Sequence, residues 1–285
     1  VCSPKHIGLK RAIILLGLTL VVPTASVQAQ LDIKPGESPQ CLFPGAARNV
    51  RIVLHNPGSN EAFVNLQVQL LQTSSTTAAP ANKPRDWKKL QVLPGQTILE
   101  SVPVSVPDVR GETSFLLRFI EGTNKVLGTM EILVYPTNLL QELKPLAGDK
   151  PPGLYDPQNI LKPLLKALDL EFIDLDETGL ENFTGRLVIL GPFASKDQVP
   201  PGLAKQIKTV ARKGVAAIWL LPPPEPGAKL TPSFHLVPEG SGVVLVAQAA
   251  LVDNLSENPR AQLNLVELAR IALHSEPVSL PELTP

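Results

Sequence analysis

Near Tyr135-Pro136 the spacing of apolar residues changes, and no other feature constrains this chain as much. Before that point the period is two. Val50, Ile52 and Leu54 alternate with Arg51 and Val53; after His55-Asn56-Pro57-Gly58 the alternation resumes at Ala62, Val64, Leu66, Val68 and Leu70. Such alternation predicts strands with one buried face, and the turn residues predict that the two runs form a hairpin. Further runs cover residues 87–93, 102–106, 114–120 and 126–135, with turn signals at Pro94-Gly95 and Gly122-Thr123-Asn124. About seven short strands within residues 30–137 predict an all-β sandwich.

After Tyr135 the apolar runs lose their polar partners. Residues 215–221 and 243–247 are apolar throughout, so both of their faces must be covered. A mainly parallel sheet between two helical layers does this, predicting an α/β three-layer domain over residues 138–276. Its expected strands are 139–143, 171–175, 186–191, 215–221 and 243–247. Helices are expected over 203–213, stopped by Gly214, and from Asn258-Pro259 to His274. Another begins near Asp156-Pro157 and carries Ile160, Leu161, Leu164, Leu165 and Leu168 on one face. Pro163 would kink that helix if it began at Pro157, whereas a start near Asn159 places the proline in the tolerated first turn. Residues 277–285 read as a proline-rich tail.

Lys5, Lys10 and Arg11 precede an apolar run over residues 12–22, and Val27-Gln28-Ala29 supplies small residues before Gln30. This is the pattern of a secretory signal peptide, residues 1–29, so the protein is expected to be exported to the periplasm or beyond the cell. The run is too short to span a bilayer, and no spanning segment is expected once the signal is removed. The 26 basic and 26 acidic side chains balance over the whole sequence. Three of the bases leave with the signal, so the remainder is mildly acidic, without the basic cluster that nucleic acid or an anionic membrane would need. Cys2 leaves as well, and Cys41 has no partner within the chain. It is either a small buried hydrophobe or half of an intermolecular disulfide.

The most chemically suggestive stretch is residues 170–179, where an apolar segment delivers Asp174, Asp176 and Thr178 into a loop. A carboxylate at a strand end can act as a nucleophile toward phosphorus, with a second one moving protons. In its D-x-D-x-T order the stretch resembles the haloacid dehalogenase-type phosphatases, which implies a magnesium-dependent alternative using Asp174 and Asp176. The rest of that pattern is displaced. Glu177 stands where a small residue is usual, Ser195 lies beyond Gly191-Pro192, and Asp253 comes six residues after Ala247. A calcium loop starting at Asp174 would need glutamate at its twelfth position, which is Gly185. Ser195 and Gln198 have capping-box spacing, so residues 191–198 read as a strand-to-helix connection and not as a phosphate loop. His55, His235 and His274 show no paired metal-ligand spacing, and His235 is expected in a loop.

Two broader resemblances accompany these readings. The N-terminal strands resemble the immunoglobulin-like modules of bacterial exported proteins. The helix with Leu164-Leu165, the segment from Gly179 to Phe193, and a helix ending at Gly214 before an apolar strand resemble the class I glutamine amidotransferase-like α/β domain. That resemblance implies a flavodoxin-like sheet, but its catalytic cysteine is absent, since no cysteine follows Cys41. The expected function is therefore a non-catalytic binding or structural module of the cell envelope without a cofactor. Its unidentified protein or small-molecule partner would meet Asp174, Asp176, Glu177, Ser195 and Asp253 at the carboxyl ends of the strands.

Overall fold

The computed structural model describes residues 31–274, apart from 37, 38, 46, 123, 124, 194 and 223–232. The expected signal peptide and tail lie outside these residues. The N-terminal part consists of two sheets. The smaller contains β1 (Asp32–Pro35), β3 (Arg48–His55) and β7 (Thr97–Val104) in the order β1-β3-β7. The larger is built on β4 (Ala62–Thr73), which pairs along one side with β8 (Thr113–Glu121). Its other side is shared by β5 (Ala78–Pro80) and β6 (Arg85–Val92). Beyond β8 lie β9 (Lys125–Val134) and β2 (Gln40–Leu42).

The alternation read from the sequence lands on this core. Val50, Ile52 and Leu54 from one sheet and Val64, Leu66, Val68 and Leu70 from the other are buried in the same cluster. The hairpin expected between the first two runs does not form, because β3 and β4 belong to different sheets. An alternating strand specifies which face is buried but not which neighbour it pairs with. The crossing between sheets is pinned by Asn56, whose side chain is fully buried. Its Nδ2 donates to the carbonyls of Asn60 and Val92, each at 2.9 Å, and its Oδ1 accepts from the Gly58 amide at 3.0 Å.

Residues 139–143 are helical, not a strand. A 3₁₀ turn over Leu139–Glu142 runs into α1 (Leu143–Ala147). Leu139, Leu140 and Leu143 share one helical face, and all three are buried. The rest is an α/β unit containing β10 (Gly153–Tyr155), α2 (Leu161–Ala167), β11 (Ile173–Asp174), α3 (Leu175–Thr178) and β12 (Leu187–Leu190). It continues with α4 (Leu203–Ala211), β13 (Ala216–Leu221), β14 (Phe234–Glu239), β15 (Gly242–Gln248) and α5 (Pro259–His274).

The sheet order is β11-β10-β12-β13-β15-β14, with only β14 antiparallel. Counting the parallel strands alone, this is 2-1-3-4-5, the doubly wound order whose direction of winding reverses between the first and third strands. Leu187 and Ile189 face the cluster that includes α5, while Val188 and Leu190 face the one that includes α4. Both faces are thus covered, which is why β12 and β13 are apolar throughout.

The two parts meet through Phe43, Tyr135, Leu139 and Leu263, flanked by an Arg48–Glu257 ion pair at 3.1 Å. Arg260 Nη2 donates to the Pro39 carbonyl at 3.2 Å and lies 3.8 Å from the free, half-buried thiol of Cys41. Among the described residues no helix is long and apolar enough to cross a membrane.

Candidate functional site

At the carboxyl end of β10 the chain must turn from a strand in the middle of the sheet into α2, and Asp156 organises the turn. Its side chain is buried and accepts backbone N–H bonds from Ile160 at 3.1 Å, Leu161 at 2.6 Å and Lys162 at 2.9 Å. These are amides of the first turn that no helical carbonyl can satisfy. The expected link between Asp156 and a helix start holds, but the helix begins at Leu161, which puts Pro163 in its first turn.

Next to this turn, β11 ends at Asp174. The Asp174 Oδ1 accepts the Asp176 amide at 3.0 Å and so caps α3, and Thr178 Oγ1 donates to the Asp174 carbonyl at 2.7 Å. Gly153, the β10 residue paired with Ile173, is required by close approach. A Cβ there would lie 2.8 Å from both Leu175 Cδ1 and Phe183 Cε2.

The two turns are tied together by Lys162. Its Nζ lies 2.7 Å from Asp174 Oδ2 and 2.6 Å from Asp176 Oδ2. Asp176 Oδ2 also accepts the Asp156 amide at 3.0 Å. Side-chain exposures of 13% for Lys162, 26% for Asp174 and 21% for Asp176 keep the cluster partly shielded from solvent screening. Burial pulls the Lys162 ammonium down, but its hydrogen bonds and charge contacts with both aspartates prevail and raise it above the ordinary lysine value. Burial likewise pushes the Asp174 carboxyl up, and the bonds from Lys162 and the Asp176 amide outweigh it, holding Asp174 below the ordinary range. Tyr155, at the end of β10, is raised by burial and then by the Asp176 charge.

Asp174 and Asp176 are therefore brought together, and the cation they meet is Lys162. Glu177 projects from α3 into an open cavity of about 570 Å³, shared with Lys166, Asp169, Phe172 and Asp174 on the outer side of β11. Ser195 closes a capping box with Gln198, and Gln158 of the Asp156 turn donates to the same Gln198 side chain. The Ser195 loop thus borders the site. Asp253 does not: it follows β15, and β10, β12 and β13 separate that strand from β11. At about 4.8 Å per strand this is roughly 19 Å across the sheet. His235 lies in β14, not in a loop. Among the described residues no group of three or more His, Cys, Asp or Glu side chains is placed to hold a metal ion.

Sequence reasoning missed Lys162 and Tyr155. A lysine twelve residues before Asp174 carries no local signal, and Tyr155 belongs to a three-residue strand too short for periodicity to reveal.

Both Asp174 oxygens are engaged within the chain, and the Asp176 oxygen nearest Lys162 holds two partners. In this arrangement the acids join turns.

No protein-family model and no curated protein matches this sequence. Among solved structures, a β-glucosidase from Listeria innocua in complex with glucose is 14% identical with a TM-score of 0.29, covering 38% of this chain and 16% of that one. The alkylpurine DNA glycosylase AlkC of Pseudomonas fluorescens is 14% identical with a TM-score of 0.30, covering 39% and 32%. A GH3 β-glucosidase of Bifidobacterium adolescentis is 11% identical with a TM-score of 0.28, covering 37% and 17%. The matches span a third or less of those proteins' lengths, and likenesses this slight carry no functional argument.

Proposed function

We propose that this chain is an exported, non-catalytic binding or structural module of the cell envelope. On this reading an immunoglobulin-like β-sandwich precedes a glutamine amidotransferase-like α/β domain that lacks the catalytic residues of its enzymatic members. The observation that carries the proposal is the engagement of Asp174: one oxygen caps α3 and the other meets Lys162. The crevice where a doubly wound sheet ordinarily receives its ligand is bordered here by side chains that bond to one another. Support for the domain assignment comes from the 2-1-3-4-5 order of the parallel strands and from the two facing sheets of the N-terminal part. The absence of cysteine after Cys41 supports the lack of thiol chemistry.

The test compares the wild type with Asp174→Asn in magnesium-dependent hydrolysis of p-nitrophenyl phosphate. Equal rates are expected. A rate well above background that Asp174→Asn abolishes, with the fold preserved by circular dichroism, would replace this reading with the phosphatase. Export is tested separately by sequencing the N-terminus of the protein recovered from a bacterial periplasm, which should begin at Gln30.

A further inference from the structure

The α/β sheet ends in β11 on one side and in β14 on the other, and the two edges are built differently. An edge strand exposes a row of backbone donors and acceptors that a further strand can pair with, and edges are ordinarily guarded by shortness, charge or proline. β11, β2 and β5 have three residues or fewer, β1 and β6 are charged, and Arg85 donates to the Pro103 carbonyl of β7. β14 has six residues, and its one charge, Glu239, is turned to Lys208 and Arg212 at 3.1 and 3.2 Å. Among the described residues β14 pairs with β15 alone.

The register fixes which backbone groups face outward. The Gln248 amide donates to the carbonyl of Ser233, the residue opposite it, at 3.0 Å. Bonded positions alternate along an antiparallel pair, so His235, Val237 and Glu239 also turn their backbone groups to β15. Phe234, Leu236 and Pro238 turn theirs to the open edge, where Pro238 has a carbonyl but no N–H. Phe234 and Leu236 lie opposite Ala247 and Leu245, on the sheet face that α5 covers further in, yet each remains 38% exposed. The edge thus offers two free amides beside two uncovered apolar side chains.

We infer that β14 pairs antiparallel with β14 of a second copy of this chain, about a two-fold axis at His235. In that register Phe234 faces the partner's Leu236, and Leu236 faces the partner's Phe234. Each free amide donates to the carbonyl opposite it, each uncovered apolar side chain meets another, and Pro238 stays outside the ladder. The strand is therefore complementary to itself, which selects a second copy over an unrelated peptide. The inference does not depend on the reading of Asp174, which lies at the opposite edge of the sheet.

Sedimentation equilibrium of the full chain from about 10 μM to about 1 mM tests it, a range suited to pairing that covers less than the roughly 800 Å² per partner of a standard interface. A monomer–dimer equilibrium is expected. Leu236→Pro should weaken the dimer at least about tenfold, because it removes an outward amide and costs the monomer no bond to β15. His235→Lys should weaken it comparably by setting two ammonium groups opposite each other at the axis. His235 is exposed, so circular dichroism should show its variant folded. A monomer throughout the range would overturn the proposal and leave the edge to a strand from another protein. A dimer that His235→Lys leaves unchanged would overturn it as well.

Discussion

The two parts of this molecule place their elements by different means. In the N-terminal part, strands of 8 to 12 residues such as β3 and β4 carry alternating faces, and each buried face repeats the same instruction several times. At the crevice of the α/β unit, β10 has three residues and β11 two, so hardly any apolar area fixes them. Their turns are held by single polar groups: Asp156, Asp174, Asp176 and Lys162. The apolar core spreads its stabilisation over many buried side chains, whereas the turns at the crevice depend on four polar ones.

The largest effect should come from the apolar side. Phe119 is fully buried, and its ring meets Trp87 at 6.1 Å. Phe119→Ala should cost about 3–5 kcal/mol in urea unfolding. Asp156→Ala comes next, at about 3 kcal/mol, because it strands three backbone amides that Asp156 alone satisfies. Asp156→Asn should recover part of that. If Asp156→Ala cost under about 1 kcal/mol, as an ordinary exposed cap does, the contrast between the two parts would be lost.

How much of this was legible in the sequence follows the same division. Repetition made the N-terminal faces readable, down to Val50, Ile52 and Leu54, although pairing was misjudged where β3 crosses to the other sheet. In the α/β unit the long apolar runs at β12, β13 and β15 were readable, because burial on both faces removes polar residues from them. β10 escaped because three residues cannot display a period. Leu139 to Leu143 was assigned the wrong period because a five-residue run fits a strand or a helix turn equally well. β14 escaped because its residues are largely exposed and follow a proline-rich stretch. The Asp174 and Asp176 pairing was visible as an unusual local pattern. Its partner Lys162 depends on two turns meeting in space, which no local pattern records.

Lys162→Met sharpens the comparison from the polar side. It removes the cation between two carboxylates and leaves them facing each other, so a loss of about 2 kcal/mol is expected, reduced from the fully buried case by partial exposure. The pH profile tells this apart from a packing defect. Asp174 is held below its ordinary value when folded, so its contribution is complete above that value and fades as the pH falls through the lower, folded one. Lys162 is raised, so its contribution is complete below the ordinary lysine value and fades at higher pH. Lys162→Met should lose much of the acid limb assigned to Asp174, since Lys162 is the main group holding that carboxyl down. Phe119→Ala should keep the acid limb at lower overall stability.

The smallest effect should arise where the two parts touch. Burial first, and then the Glu112 charge, push the Tyr135 phenol from 10.0 up to about 12. A raised phenol favours the neutral form in the folded state, so its stabilising contribution is complete below pH 10 and is lost as the pH rises through 12. Urea unfolding followed across that window should show stability falling in the wild type and a flatter profile in Tyr135→Phe, which keeps the ring against Leu139 and Leu263 but cannot ionise. Because Lys162 is also lost at high pH, the decisive quantity is the difference between the two profiles. A Tyr135→Phe profile that falls as steeply as the wild type would mean that the phenol gains its proton affinity from neither burial nor Glu112. The junction between the two parts would then be open to solvent, in contrast to the two cores it joins.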